Sequence, residues 1–466
     1  MEKIRLPILL MCIFMIALLS CSKEKTITDD TTAGTNNTKD VTFTVALPGM
    51  SQNISTYAIT ENEENKISTI DVLVFLVSGS SETYAYRVRG RNIRQLTTNT
   101  VQFQVSLQTH ASNSYRFVVI ANAKAIVDGI SYNTNESKPN VTNKLIINKS
   151  TAWNTTSSVD YDPIPMWGEA APVIVSDKFA SSINVNLLRS LARVDVNVEP
   201  TLAPVFRMTS ISVYNSNANG RIAPEASKYN VGEKKVTAPS IPSPLQTNST
   251  PLVYNISNPL KSEQEIYLFE KAAAASAGVS GALSLIIGGR YGGSSTETYY
   301  KVEFLSPAAV PSPVPLLRNF KYVFNITDIA AEGHATRESA LAAKPSNMQV
   351  SLLTINENDL PVIYFDEHYY LAMQTDLVNY PTDQGGGDAY KIKTDFPGGW
   401  TWISDRPWLS VHPYNDGSDR ANITVLINPS NPQSPRSGTV TIIAGKIRGK
   451  IKVYQGYGTN PLPDIP

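Results

Sequence analysis

Cysteine is almost missing from this sequence. Its 466 residues hold only Cys12 and Cys21. Both lie at the very start, so no disulfide framework can staple the body of the chain, and its folds must hold by packing. Histidine is scarce as well: His110, His334, His368 and His412 are the whole set, and none has a metal-ligand spacing. Excess charge of either sign is absent, with 40 Lys plus Arg against 40 Asp plus Glu. That balance excludes the basic footprint of a nucleic-acid binder and any general attraction to anionic membrane. Long apolar runs are absent with one exception, Ile8–Leu19. At about 12 residues it falls short of the roughly 20 needed to span a bilayer.

That single run fixes the expected compartment. Lys3 and Arg5 outweigh Glu2 before it, and Leu18, Leu19 and Ser20 lead directly into Cys21. This is a bacterial lipobox, so residues 1–20 read as a removed signal and Cys21 as the acylated new N-terminus. Cys12 is lost with the signal. Acyl chains at ~0.8 kcal/mol per buried methylene hold a soluble chain durably once two or three are attached. The expectation is a lipid-anchored outer-membrane protein at the cell surface, with covalent lipid on Cys21 and no cofactor.

What the sequence does have is the make-up of an all-β protein: 30 prolines, 22 tyrosines, abundant Ser, Thr and Asn, and 42% hydrophobic residues. Residues 21–40 are polar and read as a flexible tether. Alternation then starts at once, with Val41, Phe43, Val45 and Leu47 on one face of a half-buried strand. Further strands are expected at Ile70–Val77, Val101–Leu107 and Tyr115–Ala121. Residues 185–188 and 193–198 read as a strand pair or one long bent strand. Phe206–Tyr214 opens a second β unit and Tyr322–Ile329 closes it, with Ala272–Ala277 as a short helix or small-residue loop. The expected divisions are 41–190, 191–332, a connector at 333–370 with an Ala-rich, helical patch, a third β unit at 371–456, and a loose tail at 457–466.

No catalytic constellation is visible. Asp366, Glu367 and His368 form a polar string of the kind found in loops. Gly288–Gly293 joins two β runs and lacks the strand-to-helix setting of a phosphate-cradling loop, so a hairpin turn is expected. Asp416–Asp419 lacks enough spaced oxygen donors for calcium. No serine sits in a G-x-S-x-G setting. Trp400 and Trp402 would share one face of a strand, which can build a sugar-stacking platform, or they can fill a core as large aromatics usually do. Trp408 and Trp167 read as structural.

Several strings resemble a known family. Tyr115–Ala123 (YRFVVIANA), Ile164–Glu169 (IPMWGE) and Leu188–Val196 (LRSLARVDV) are similar to the first domain and domain junction of Bacteroidales fimbrillin-like proteins. Ile211–Asn215 with Gly220–Pro224, Ile266–Glu270, and Leu317–Tyr322 are similar to the second. The six strings stand in the right order over about residues 41–330. The resemblance implies two tandem fimbrillin-like β-sandwich domains of a type V pilus lipoprotein. Trp408–Val411, Asn428 with Pro429, Arg436–Ile442 and Val453–Gln455 resemble a BACON domain, an immunoglobulin-like sandwich proposed to bind carbohydrate and also used as a spacer.

In shaft subunits of that family, a protease cuts after an arginine beyond the first strand, the strand leaves, and a neighbour's strand fills the gap. Strand addition of this kind satisfies both a row of unpaired backbone groups and an apolar groove. The first strand here would be Val41, Phe43, Val45 and Leu47. The cut position departs from the pattern, because Tyr57 stands where the arginine would be and no arginine occurs between Arg5 and Arg87. Lys66 is a poor substitute, directly before a strand. A donor strand could lie within 349–373, where Val350, Leu352 and Ile363 are apolar. The resemblance therefore implies a non-shaft subunit, an anchor or adhesive tip. Its partners would be pilin subunits of the same assembly, outer-membrane lipid, and carbohydrate as a further ligand, with no nucleic acid. The alternative is a glycan-binding surface lipoprotein of a polysaccharide-uptake system.

Overall fold

The computed structural model describes residues 37–48, 50–51, 61–97, 100–180, 182–308, 310–356, 362–365, 369–380, 387–394, 396–414, 421–427 and 435–457. The expected all-β architecture is what it shows. Strands in the first third are β1 (Thr38–Ala46), β2 (Met50–Ser51), β3 (Ile70–Ser78), β4 (Ser81–Arg89), β5 (Arg91–Thr97) and β6 (Thr100–Gln108). They continue with β7 (Ser114–Ala121), β8 (Ile146–Asn148), β9 (Met166–Glu169), β10 (Ile183–Asn186) and β11 (Leu188–Arg189). Two sheets, ordered β10-β1-β6-β5 and β11-β9-β7-β3-β4, face each other. Their shared core includes Phe43, Val72, Phe103, Phe117 and Val185. Strict alternation in β1 and β6 supplies that face, since successive strand residues point to opposite sides.

The second sandwich holds β12 (Ala192–Val198), β13 (Phe206–Tyr214), β14 (Asn219–Arg221), β15 (Tyr229–Asn230), β16 (Lys235–Val236) and β17 (Leu252–Asn255). It ends with β18 (Lys261–Leu268), β19 (Ser284–Tyr291), β20 (Thr298–Glu303), β21 (Phe320–Ile329) and β22 (Met348–Asn356). Its sheets run β18-β12-β21-β22 and β17-β13-β19-β20, around a core with Val196, Phe206, Ile287, Tyr300 and Phe324. A two-stranded piece, β14 on β8, ties the two sandwiches together. The outer face of β3 and β7 (Leu73, Phe75, Val118, Ile120) packs with Ile222, Tyr267 and Phe269 of the second sandwich. The two are joined through a continuous apolar contact.

The third sandwich comprises β23 (Val362–Phe365), β24 (Tyr370–Met373), β25 (Leu377–Tyr380), β26 (Gly387–Thr394) and β27 (Thr401–Ser404). It is completed by β28 (Leu409–Tyr414), β29 (Ala421–Ile427), β30 (Arg436–Ala444) and β31 (Ile447–Gln455). One sheet runs β2-β23-β24-β26-β29-β28, the other β25-β31-β30-β27.

Four expectations need correction. Residues 185–188 and 193–198 are neither a pair nor one bent strand: they fall in β10, β11 and β12, which lie in three different sheets. The segment 333–370 is not a connector throughout. The short helix Arg337–Ala342 begins with a Thr336–Ser339 capping box, Arg337 lies over the Tyr299 ring at 5.0 Å, and β22 completes the second sandwich. The third sandwich opens at β23, ahead of Leu371. Gly288 and Gly289 are strand residues, where a Cβ on Gly289 would strike Phe206 at 2.2 Å. Only Gly292 and Gly293 turn, with positive φ.

Candidate functional site

The seat of the first strand is built from its own alternation. Val41, Phe43, Val45 and Leu47 are 2%, 0%, 0% and 6% exposed. Phe43 stacks on Phe103 at 5.0 Å and meets Phe117 edge-on at 5.6 Å. β1 lies inside its sheet. It runs antiparallel to β6, with Phe43 opposite Phe103, and parallel to β10, with Phe43 opposite Ile183. All of β1 is thus paired on the β6 side and Phe43–Ala46 on the β10 side, and its loss would leave a slot lined by apolar side chains and open both ladders.

The exit of the strand is held too. Leu187 N–H donates to Ala46 O at 2.9 Å, and Asn65 Nδ2 donates to Pro48 O at 3.0 Å. Met50 and Ser51 then pair in parallel with Val362 and Ile363 of the third sandwich. Cys21 and Tyr57 lie outside the described residues, as do Asp366–His368 and Asp416–Asp419. Of the expected donor segment, Val350 and Leu352 are already paired with β21 in β22, and Ile363 is paired with Ala372 in β24. The described parts of that segment are engaged within the chain.

Glu64 and Asn65, just upstream of β3, anchor a buried charge network at the junction. Arg193 and Asp195 are two apart on β12 and share a face, so Arg193 Nη2 reaches Asp195 Oδ2 at 2.8 Å. Arg193 Nη1 reaches Glu64 Oε2 at 3.1 Å, Lys321 Nζ reaches Asp195 Oδ2 at 3.1 Å, and Arg189 Nη2 donates to Asn65 Oδ1 at 2.6 Å. All these side chains are buried. Burial opposes the charge on Asp195, yet Arg193 and Lys321 outweigh it and hold its carboxyl at about 2. Glu64 moves the same way: burial is overcome by Arg189 and Arg193, and its carboxyl is lowered. Little in the pattern of residues signals this network, because polar letters in a strand read as its solvent face. The one signal was spacing, Arg193 and Asp195 at the strand period.

Trp400, Trp402 and Trp408 are each half-buried and pack against the core of the third sandwich. Trp402 lies opposite Ile442, and the Arg436 guanidinium sits over the Trp408 ring at 4.2 Å. Trp167 is buried against Tyr229, edge-on at 5.1 Å. His110 accepts the backbone N–H of Asn113 at 3.0 Å, His334 bridges to Tyr299 through its backbone, and His412 is exposed on β28. No group of three or more His, Cys, Asp or Glu side chains that could hold a metal occurs among the described residues.

The model of the fimbrillin-A associated anchor proteins Mfa1 and Mfa2 matches residues 41–251. No curated protein matches the chain by sequence. Among solved structures, the tip fimbrial protein Mfa3 of Porphyromonas gingivalis, with a C-terminal truncation, is 16% identical, with 68% of this chain and 100% of that chain covered and a TM-score of 0.41. A fimbrial assembly protein of Parabacteroides distasonis is 14% identical, with 69% and 97% covered and a TM-score of 0.36.

Proposed function

We propose that this chain, whose residues 41–251 match the model of the fimbrillin-A associated anchor proteins, is a lipid-held fimbrial subunit that works outside the shaft. Its task is assembly and adhesion, with Cys21 carrying the lipid and β1 retained as the chain's own complementing strand. The single observation that carries retention is the seating of β1 between β6 and β10 with both ladders made. Tyr57 in place of an arginine removes the cut that would free it. The pairing of Met50 and Ser51 with β23 holds the strand's exit as well. Partner pilins then meet the chain through its remaining sheet edges, by strand addition.

The test is the N-terminus and mass of the protein from outer membranes of its native host. Acylated Cys21 continuous with β1 is the expected outcome. A chain beginning beyond Tyr57 without lipid would mean pilin-like maturation and end the retention proposal.

A second reading, glycan capture by the third sandwich, draws on the exposed parts of Trp400 and Trp402. It predicts polysaccharide binding by the intact chain that is lost in Trp400→Ala or Trp402→Ala. Retention of binding in both variants would dismiss it.

A further inference from the structure

The second sandwich carries a cavity of about 260 Å³ near the end where Val213 lies opposite Leu252 and Tyr214 opposite Ser284. Its volume is just below the usual range of drug-sized sites and suits a small ligand. Three loops supply the walls, residues 215–218, 237–251 and 269–283. They bring Asn217, Ile241, Leu245, Lys271, Val279 and Leu283 together. Loops set on a rigid sheet are where binding residues concentrate. Here three asparagines tie them down. Asn215 Nδ2 donates to Ala282 O at 2.9 Å, Asn217 Nδ2 to Glu270 O at 2.6 Å, and Asn219 Nδ2 to Pro244 O at 2.9 Å. The walls are therefore set before any ligand arrives, which lowers the entropic cost of binding.

The lining holds one cation, Lys271, and no acid. The Lys271 backbone is fixed by a mutual pair with Leu316, at 3.0 and 2.9 Å, and the residue is half-buried. Among the described residues Nζ has a single partner, Asn217 Oδ1 at 3.4 Å. The bond from Asn217 Nδ2 to Glu270 O fixes that amide, so its oxygen is the atom turned to the amine. An ammonium has three donors, and most of this capacity is unused. The acids at hand are engaged elsewhere. Glu270, next in sequence, is held by Arg318 at 2.7 Å. Glu303 shares a smaller cavity with Lys271, but it is held by Lys301 at 3.0 Å and accepts the Gly278 N–H at 3.0 Å. Burial alone therefore acts on the Lys271 amine and lowers its pKa. A partly desolvated cation without a counter-ion is costly, and an anion in the cavity would relieve it. Beside it, Leu245 and Val279 leave apolar surface open, at 46% and 37% exposed.

We propose that this loop-lined cavity binds a carboxylate carried on a short apolar chain. Lys271 supplies the charge, Asn217 holds the amine in place, and Leu245 and Val279 receive the apolar part. A bond from an ammonium to a carboxylate is charge-assisted and stronger than one between neutral groups. A peptide C-terminus ending in a small apolar residue has this chemistry, and so does a free short-chain acid. The proposal does not rest on the fimbrial reading, which a negative result leaves standing.

The test is calorimetric titration of the full mature chain with N-acetyl-alanyl-valine and its C-terminal amide, and with 3-methylbutanoate and its amide. Binding of one acid at millimolar concentration or better, with its amide weaker by about tenfold or more, is the expected result, and the acid that binds more tightly names the source. Lys271→Met keeps the apolar stem and removes the charge, so it should abolish the preference for acid over amide. Val279 stands on the exposed rim, so Val279→Asp should fold with an unchanged melting temperature and weaken the acid several-fold by repulsion. It decides the matter if Lys271→Met fails to fold. The proposal is overturned if neither acid binds, if the amide binds equally well, if Lys271→Met keeps the preference, or if Val279→Asp leaves affinity unchanged.

Discussion

β1 and β22 are both terminal strands of a sandwich, yet they are seated differently. β1 opens the first sandwich from the interior of its sheet, paired on both sides. β22 closes the second from the edge, paired only with β21 in that sheet. Four side chains of the β1 segment are almost wholly buried, whereas in β22 only Leu352 and Ile355 are, at 7% and 8% exposed. An interior strand is part of the core it completes; an edge strand extends a sheet that is already closed around its core. The same act of strand exchange therefore differs in cost at the two ends of this tandem.

The largest expected effect comes from removing β1. A mature chain lacking residues 37–47 should lose hydrogen-exchange protection throughout β6 and β10, while β12 and β21 keep theirs. Equal protection across both sandwiches in that chain would break the contrast. Phe43→Ala should cost ~3–5 kcal/mol, as for other buried phenylalanines, read from urea unfolding of the first sandwich. Leu352→Ala should cost less, on the order of 2 kcal/mol, the low end for a leucine at a site able to collapse. Equal costs would show that the edge strand is as integral as the interior one.

Acid should separate the two sheets. Asp195 titrates at about 2 when folded against an ordinary 3.8. Its stabilisation is therefore fully present above pH ~4 and is lost as pH falls toward 2, a contribution on the order of 2 kcal/mol. Glu64 acts in the same direction. The buried face of β1 carries no titrating group, so protection in β12 and β21 should fall first on acidification. The reverse order would argue against the charge network as the weak point. Smallest of all, Ser351→Ala on the exposed side of β22 should change stability by less than ~0.5 kcal/mol.

Much of this was legible beforehand. Val41, Phe43, Val45 and Leu47 announced both the strand and its buried face, because a period of two has one meaning for a half-buried strand. Ile70–Val77 and Tyr115–Ala121 also read as strands, although their burial on both faces did not. Residues 185–188 and 193–198 were misread because periodicity reports a strand without reporting its sheet, and here the chain changes sheet twice between β10 and β12. The apolar residues of β22, Val350 and Leu352, read as a strand offered to a partner, whereas they close the chain's own second sandwich against β21. The pairing of Arg193 with Glu64 was hidden, since it joins segments 129 residues apart.

The parallel and antiparallel neighbours of β1 also settle how the chain carries load. A pull on residue 37 acts along the strand axis. Against β6 it meets nine cross-strand pairs and against β10 four more, all strained together in shear. None can be peeled open one at a time, as at a hairpin end. If the proposed lipid tether holds the molecule by its N-terminus, tension falls on this paired strand, which would then serve as a mechanical clasp.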